Sequence, residues 1–397
     1  MSHVNTILHQ LLQFLPLDEF DSFVRQHNAD RYVKRLSCRN QLTTLLYAQA
    51  TKKDSLRDIE TGLRILDSTW YHLGLRSVAR STLAYANENR PCEIYESLFY
   101  ALLRKCKSLS GTAQKFSFRN DIHAIDSTTV DLCLSVFDWA KFRKRKGDIK
   151  IHVDFNVRDQ IPEVAVITNG KTADVRFLQD LDLDKYPKGT IFVFDRAYID
   201  YKLLNKIKKA GHHFVARLKE GANVFCPEDH RPPSGQGIIS DQRMMFVLDK
   251  AQRDYPQELR LVTCWDEENK VLYEFITDEF RLSASNVALI YKRRWDIELF
   301  FKWIKQHLKI KTFLGTSENA VKTQIWIAMI YYLLVWWLKK QTNFKGSLLD
   351  LSRMLSETLL WRMHLIDILS LNKRKLRSYA PPILSLIHIS EPTRHAS

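Results

Sequence analysis

Four residues of chemical interest share one stretch of the chain, SASNVALIYKRRWDIELFFKWIKQHLKIK, from Ser283 to Lys311. Ser283 or Ser285 can cap a helix start, and no Gly or Pro interrupts the run, which predicts one long helix. At about 100° per residue, Tyr291, Arg294, Glu298 and Lys305 fall within an arc of about 60°. Ile290, Ile297, Phe301, Ile304 and Leu308 form an apolar stripe beside them. A carboxylate flanked by cations at the edge of a core suits a divalent metal and a phosphate. The plain alternative is an amphipathic helix with two salt bridges.

The spacing Tyr, two residues, Arg, three residues, Glu, six residues, Lys, with the surrounding words YKRRWDIELFFKWIKQHLKIKTFLG, resembles the insertion-sequence-four family of bacterial DDE transposases. The resemblance implies two aspartates upstream, each ending a strand. Two apolar runs fit: DIHAID ends at Asp126, within the family-like words IDSTT, and TIFVFD ends at Asp195, within FDRAY. A lone Asp at a strand end is more often a cap or turn former. Two of them, with a Glu on a later cationic helix, can converge on divalent ions that take oxygen ligands. Asp126, Asp195 and Glu298 therefore resemble the family's acidic triad. Asp121, Asp131, Asp174 and Asp200 are the nearest alternatives and rank below them.

The composition agrees with an anionic partner. The chain has 397 residues, 45% of them hydrophobic, and a net charge of +15. That length allows two or three domains with a sizeable core, and the charge suits nucleic acid. Six cysteines show no metal-ligand spacing and are expected to be reduced thiols. No phosphate-binding loop signature occurs, so nucleotide triphosphate use is not expected. The apolar run Ile325–Leu338 is too short to span a bilayer comfortably and is expected to be a buried helix. The N-terminus has no signal-peptide pattern, so a cytoplasmic, nucleoid-associated location is expected.

The elements that must position the carboxylates follow. Residues 1–115 read as helices only. A helix over Ser55–Leu66, a turn near Gly74 and a helix opened by Ser81 or Thr82 could form a helix-turn-helix, with Arg76, Arg80 and Arg90 reaching phosphates. A plain bundle is the alternative. The phrase RSTLAYAN resembles the front end of the same family, which implies recognition of the element's ends. Residues 116–345 are expected to form an α/β, ribonuclease-H-like catalytic core. Asp121–Asp126 and Thr129–Ser135 are expected as two strands, and Ile149–Asn156 with Pro162–Thr168 as a hairpin. The charge run with Arg143, Lys144 and Arg145 is expected in a loop touching phosphates, with a solvated loop as the alternative.

The interval between Asp195 and Glu298 exceeds that between Asp126 and Asp195. It is expected to hold a β-rich insertion over about residues 221–283. The family resemblance implies a tryptophan here that stacks on a flipped base, and Trp265 is the only candidate, although ordinary packing is the simpler reading. Residues 346–383 are expected as a helical C-terminal segment. The last fourteen residues, 384–397, begin LSLIHISEPTR, which resembles one frame of a sequencing adapter, and are expected to be foreign to the protein.

The resemblance implies a transposase that cuts and pastes double-stranded DNA at terminal inverted repeats with Mg2+, for which Mn2+ can substitute, the paired ends being joined by a dimer. A catalytically dead repeat-binding protein and a structure-specific nuclease of the same fold are the alternatives.

Overall fold

In a computed structural model of the chain, ten strands between Ile122 and Thr277 form one sheet. The structure describes residues 5–65, 73–75, 78–109, 116–132, 137, 139, 141–143, 146–170, 172–227, 237–307 and 313–370. Arg76, Lys144, Arg145 and the adapter-like tail lie outside them.

The strands are β1 (Ile122–Leu132), β2 (Lys141–Arg143), β3 (Lys146–Asn156), β4 (Ile161–Asn169), β5 (Ile191–Phe194), β6 (His213–Arg217), β7 (Val224–Phe225), β8 (Ile238–Phe246), β9 (Leu259–Asp266) and β10 (Val271–Thr277). Their order is β2-β3-β1-β5-β6-β10-β9-β8-β7, with β4 paired to β3. β1 runs antiparallel to β3 and parallel to β5, and β5 runs parallel to β6. The short β5, IFVF, is buried on both faces, which explains its unbroken apolar run.

Helices α1 (Ile7–Leu12), α2 (Leu17–Gln26), α3 (Cys38–Ala50), α4 (Leu56–Ile65), α5 (Arg80–Asn89) and α6 (Glu93–Lys107) precede the sheet. Helices α7 (Asp174–Gln179), α8 (Tyr201–Lys209) and α9 (Asp249–Asp254) connect its strands. After it come α10 (Ala284–Arg293), α11 (Trp295–His307), α12 (Glu318–Gln341), α13 (Leu348–Thr358) and α14 (Leu365–Ser370).

Helix α12 is apolar all round because it is surrounded. It packs against α3, α5, α6, α11, α13 and β4. By length and composition it could cross a membrane, but its apolar window is 94% buried inside the fold. One apolar cluster runs from Ile7 through α12 to Ile368, so the front helices share a core with the catalytic region.

Two expectations need correction. The two strands expected at Asp121–Asp126 and Thr129–Ser135 are one strand, β1, because no turn residue separates them and the ladder with β3 runs unbroken from His123 to Leu132. The long helix expected over Ser283–Lys311 is broken at Arg294, where Arg294 N–H bonds Tyr291 O at 3.0 Å, a tighter i to i−3 turn. The break coincides with a change of support: α10 lies on β5, β6, β8, β9 and β10, whereas α11 lies on β1 and α12. Among the described residues, the interval 221–283 carries β7, β8, β9 and β10. β10 pairs with β6, so its strands extend the central sheet.

Candidate active site

The parallel pairing of β1 with β5 ends at Ile125 opposite Phe194. The next residue on each strand is Asp126 and Asp195, so the ladder delivers both carboxylates to one level. Side chains alternate along a strand. Ala124 and Val130 share Asp126's parity, as Ile191 and Val193 share Asp195's, and all four join the cluster that contains Ile297 and Ile304 of α11. Both aspartates therefore lie on the sheet face that α11 covers.

Helix α11 brings Glu298, and Arg294 ties the group together. Arg294 Nη1 donates to Asp126 Oδ2 at 3.2 Å, and its Nη2 lies 2.7 Å from Glu298 Oε1. The Arg294 side chain is only 10% exposed. Burial pushes the Asp126 carboxyl up to about 6, a rise that its bond from Ser127 N–H and the Arg294 charge oppose and that Glu298 and Asp195 reinforce. Asp195 accepts from Arg196 N–H at 2.5 Å, which opens the tight turn Arg196–Tyr198. Arg294 pairs with two of the carboxylates, and the charge of the third, Asp195, is felt at Asp126; carboxylate oxygens are the donors that Mg2+ or Mn2+ prefers, so the residues present fit a divalent ion.

Lys305 and Lys302 line the same cleft, of about 450 Å3, with Asp126, Ser127, Thr128 and Glu298. Tyr291 is buried against Phe275, ring centroids 4.5 Å apart, and the Arg294 guanidinium sits 5.5 Å from its ring. Of the four residues read from helical spacing, Glu298 and Lys305 line this cleft, Arg294 is joined to two of the carboxylates, and Tyr291 lies behind the Arg294 guanidinium.

Other expected contacts do not gather there. Trp265 is half-buried in β9, three strands from β5. Arg143 lies on β2, in strand and not loop. Arg80 is exposed at the start of α5, which packs on α4. Arg90 requires correction. It is buried, donates to Gln41 Oε1 at 2.7 Å and to Leu36 O, and pairs with Asp30 at 3.7 Å. Both Nη groups point inward, so it clamps the helical front end and is turned away from a phosphate.

Sequence reading passed over a buried cluster on the opposite sheet face. His123 Nδ1 lies 2.8 Å from Asp154, which also accepts from Tyr186 at 2.7 Å, while Glu163 accepts from Asn156 at 2.9 Å and from Lys107 at 2.5 Å. These three metal-compatible residues lie close together. Their carboxylates are already neutralised by protein donors, so the cluster reads as a core hydrogen-bond network.

Comparison with known proteins adds two family matches. Residues 117–334 match the family described as transposase DDE domain, and residues 3–76 match a domain of unknown function, DUF4372. The chain is 28% identical over 284 residues to a protein of Geobacillus stearothermophilus named "Probable transposase for insertion sequence element IS5377", covering 70% of this chain and 74% of the other. It is 29% identical over 262 residues to a Sinorhizobium fredii protein named as a transposase, y4zB, covering 65% of this chain and 71% of that one. Among solved structures, a piggyBac transposase synaptic complex with hairpin DNA aligns at a TM-score of 0.44 and 13% identity, covering 95% of this chain and 82% of the other.

Proposed function

This chain belongs to the transposase DDE domain family and is a DNA transposase, and from that premise we propose that it moves an insertion sequence by cut-and-paste, with Asp126, Asp195 and Glu298 as its metal-holding triad. The DDE domain implies a divalent metal, and Mg2+ is the ion we assign, with Mn2+ as a substitute. When bound, such an ion polarises the scissile phosphate and generates a nucleophile near neutral pH.

The remaining roles belong to the chain's own side chains. Asp126 and Glu298 would hold the ion in place of Arg294 as their counter-charge, and the guanidinium would then be free to pair with a DNA phosphate. Lys305, in the same cleft, offsets charge on the transferred phosphoryl group. Tyr291 holds the Arg294 end of the helix against β10 and bounds the terminal nucleotide. The observation that carries this reading is the single guanidinium joining Asp126 to Glu298, with the β1–β5 ladder ending one residue before Asp126 and Asp195 alike.

The core is assigned a ribonuclease-H-like fold. The support is the strand path β4-β3-β1-β5-β6, antiparallel in its first three strands and parallel from β1 to β6. The front helices, residues 1–115, are assigned to the element's ends, and two copies of the chain to the paired ends.

A supercoiled donor plasmid carrying the element between its inverted repeats tests the reading. Wild-type protein with Mg2+ should excise the element. Asp126→Asn, Asp195→Asn and Glu298→Gln should each lower cleavage by about a thousandfold or more while end binding stays within about twofold. A wild-type chain that shifts the ends in a gel but never cuts them would establish the repeat-binding alternative instead.

A further inference from the structure

The ladder that fixes β1 against β5 stops at Ile125 and Phe194, one residue short of both aspartates. Beyond it, the β1–β3 ladder still holds the Asp126 backbone, but no strand pairing ties Asp126 to Asp195. Asp126 Oδ1 accepts from Ser127 N–H at 2.8 Å. Ser127 donates its own hydroxyl to Asp174 Oδ1 at 2.5 Å. Asp174 is also paired with Lys150 at 3.1 Å. It is the first residue of α7, and α7 packs on β1 and on the turn Arg196–Tyr198 that follows Asp195. Tyr198 fills the remaining corner. It is 1% exposed, with its hydroxyl beside Ser127. Burial is the main cause that pushes its pKa up; the charges of Asp126, Asp174 and Asp195 add to the rise and the hydrogen bond with Ser127 opposes it.

Resting on the metal-holding triad argued above, we propose that Asp174, acting through Ser127 and flanked by Tyr198, is a positioning residue that holds Asp126 and Asp195 at one spacing for a divalent ion.

An Asp at the start of a helix commonly caps that helix. Asp174 does not: no side-chain cap bond forms at this end, and its carboxylate accepts from Ser127 and Lys150. It is therefore directed at β1. Its carboxylate is paired with Lys150 and accepts the Ser127 hydroxyl. That fixes the side chain of the residue, held in the β1–β3 ladder, whose N–H orients Asp126. Groups that orient metal-ligating carboxylates typically account for 10–100-fold in metal affinity or activity.

The test titrates Mn2+ against DNA-free, full-length protein by calorimetry or by loss of the free-ion paramagnetic resonance signal, beside a cleavage assay over a range of Mg2+. Asp174→Ala should weaken Mn2+ binding by about 10-fold or more and raise the Mg2+ needed for half-maximal cleavage by a similar factor. Cleavage at saturating Mg2+ should change far less. Asp174→Asn keeps an oxygen for Ser127 and should recover most of the loss. Ser127→Ala should weaken Mn2+ binding in the same direction, and adding it to Asp174→Ala should bring no further loss. Ser127→Ala leaves α7 untouched, so it decides the matter if Asp174→Ala fails to fold. Unchanged Mn2+ affinity in folded Asp174→Ala or Ser127→Ala, or additive losses in the double variant, would overturn the proposal. A wild-type chain that binds Mn2+ at Asp126 but cuts no DNA would defeat the transposition reading alone.

Discussion

Arg294 marks what single residues disclose and what they hide. Its pairing with Glu298 was legible, because i and i+4 meet on a helix. Its pairing with Asp126 was not, since the two lie 168 residues apart in the chain. His152 was hidden altogether. It sits on β3 with its side chain fully buried, its ring stacked on Phe177 at 5.4 Å and its Nδ1 3.8 Å from Asp174. Burial pushes its pKa down to about 4. The unfolded chain takes up that proton near the ordinary histidine value of about 6.5, so it binds more protons than the folded chain between the two values. Stability should therefore fall as pH drops from about 6.5 to 4, by on the order of 3 kcal/mol from this group at most. His152→Gln should flatten that part of the stability curve in urea titrations across pH. Parallel curves for wild type and variant would show that His152 does not titrate as its burial requires.

Among the elements, helices were the easiest to foresee and their joints the hardest. Periodicity locates α10 and α11 but says nothing of the break between them, which arises because the two halves rest on different strands. The helical front end shows the same limit. Three arginines looked equivalent in sequence, yet the packing separates two of them. Arg90 bonds Gln41 and Leu36 across α3 and α5, whereas Arg80 is exposed. Arg90→Ala would leave buried acceptors and Asp30 without their cation. It should cost about 3 kcal/mol, measured as a lower urea midpoint. Arg80→Ala should stay within about 0.5 kcal/mol of wild type. Equal effects of the two would mean that the Arg90 clamp does not hold α3 to α5.

For the molecule as a whole, charge and core pull in different directions. The net charge of +15 predicts DNA binding whose log affinity falls linearly with log salt concentration, with a slope set by the phosphates neutralised. One might expect residues 1–115 to show this alone. The fold predicts otherwise, because α12 covers α3, α5 and α6 and would be absent. A 1–115 fragment should lack a cooperative unfolding transition, and the full-length chain should bind the element's ends with the steep salt dependence. A fragment that unfolds cooperatively and reproduces the full chain's salt slope would make the front end an independent domain.

Local rules carried the sequence a long way. Helical spacing gathered Tyr291, Arg294, Glu298 and Lys305 onto one arc, and apolar runs placed Asp126 and Asp195 at the ends of buried pairing. Those properties depend on residues within a few positions of each other, so the chain displays them before it folds. The tertiary structure decided what depends on distant neighbours. It joined the stretch before Glu298 to the central sheet through β10, turned Arg90 inward, and set Asp174 beneath Ser127 although the sequence ranked it among the also-rans. Each outcome turns on which surfaces are buried together, and burial between remote segments leaves no periodic trace in the order of residues.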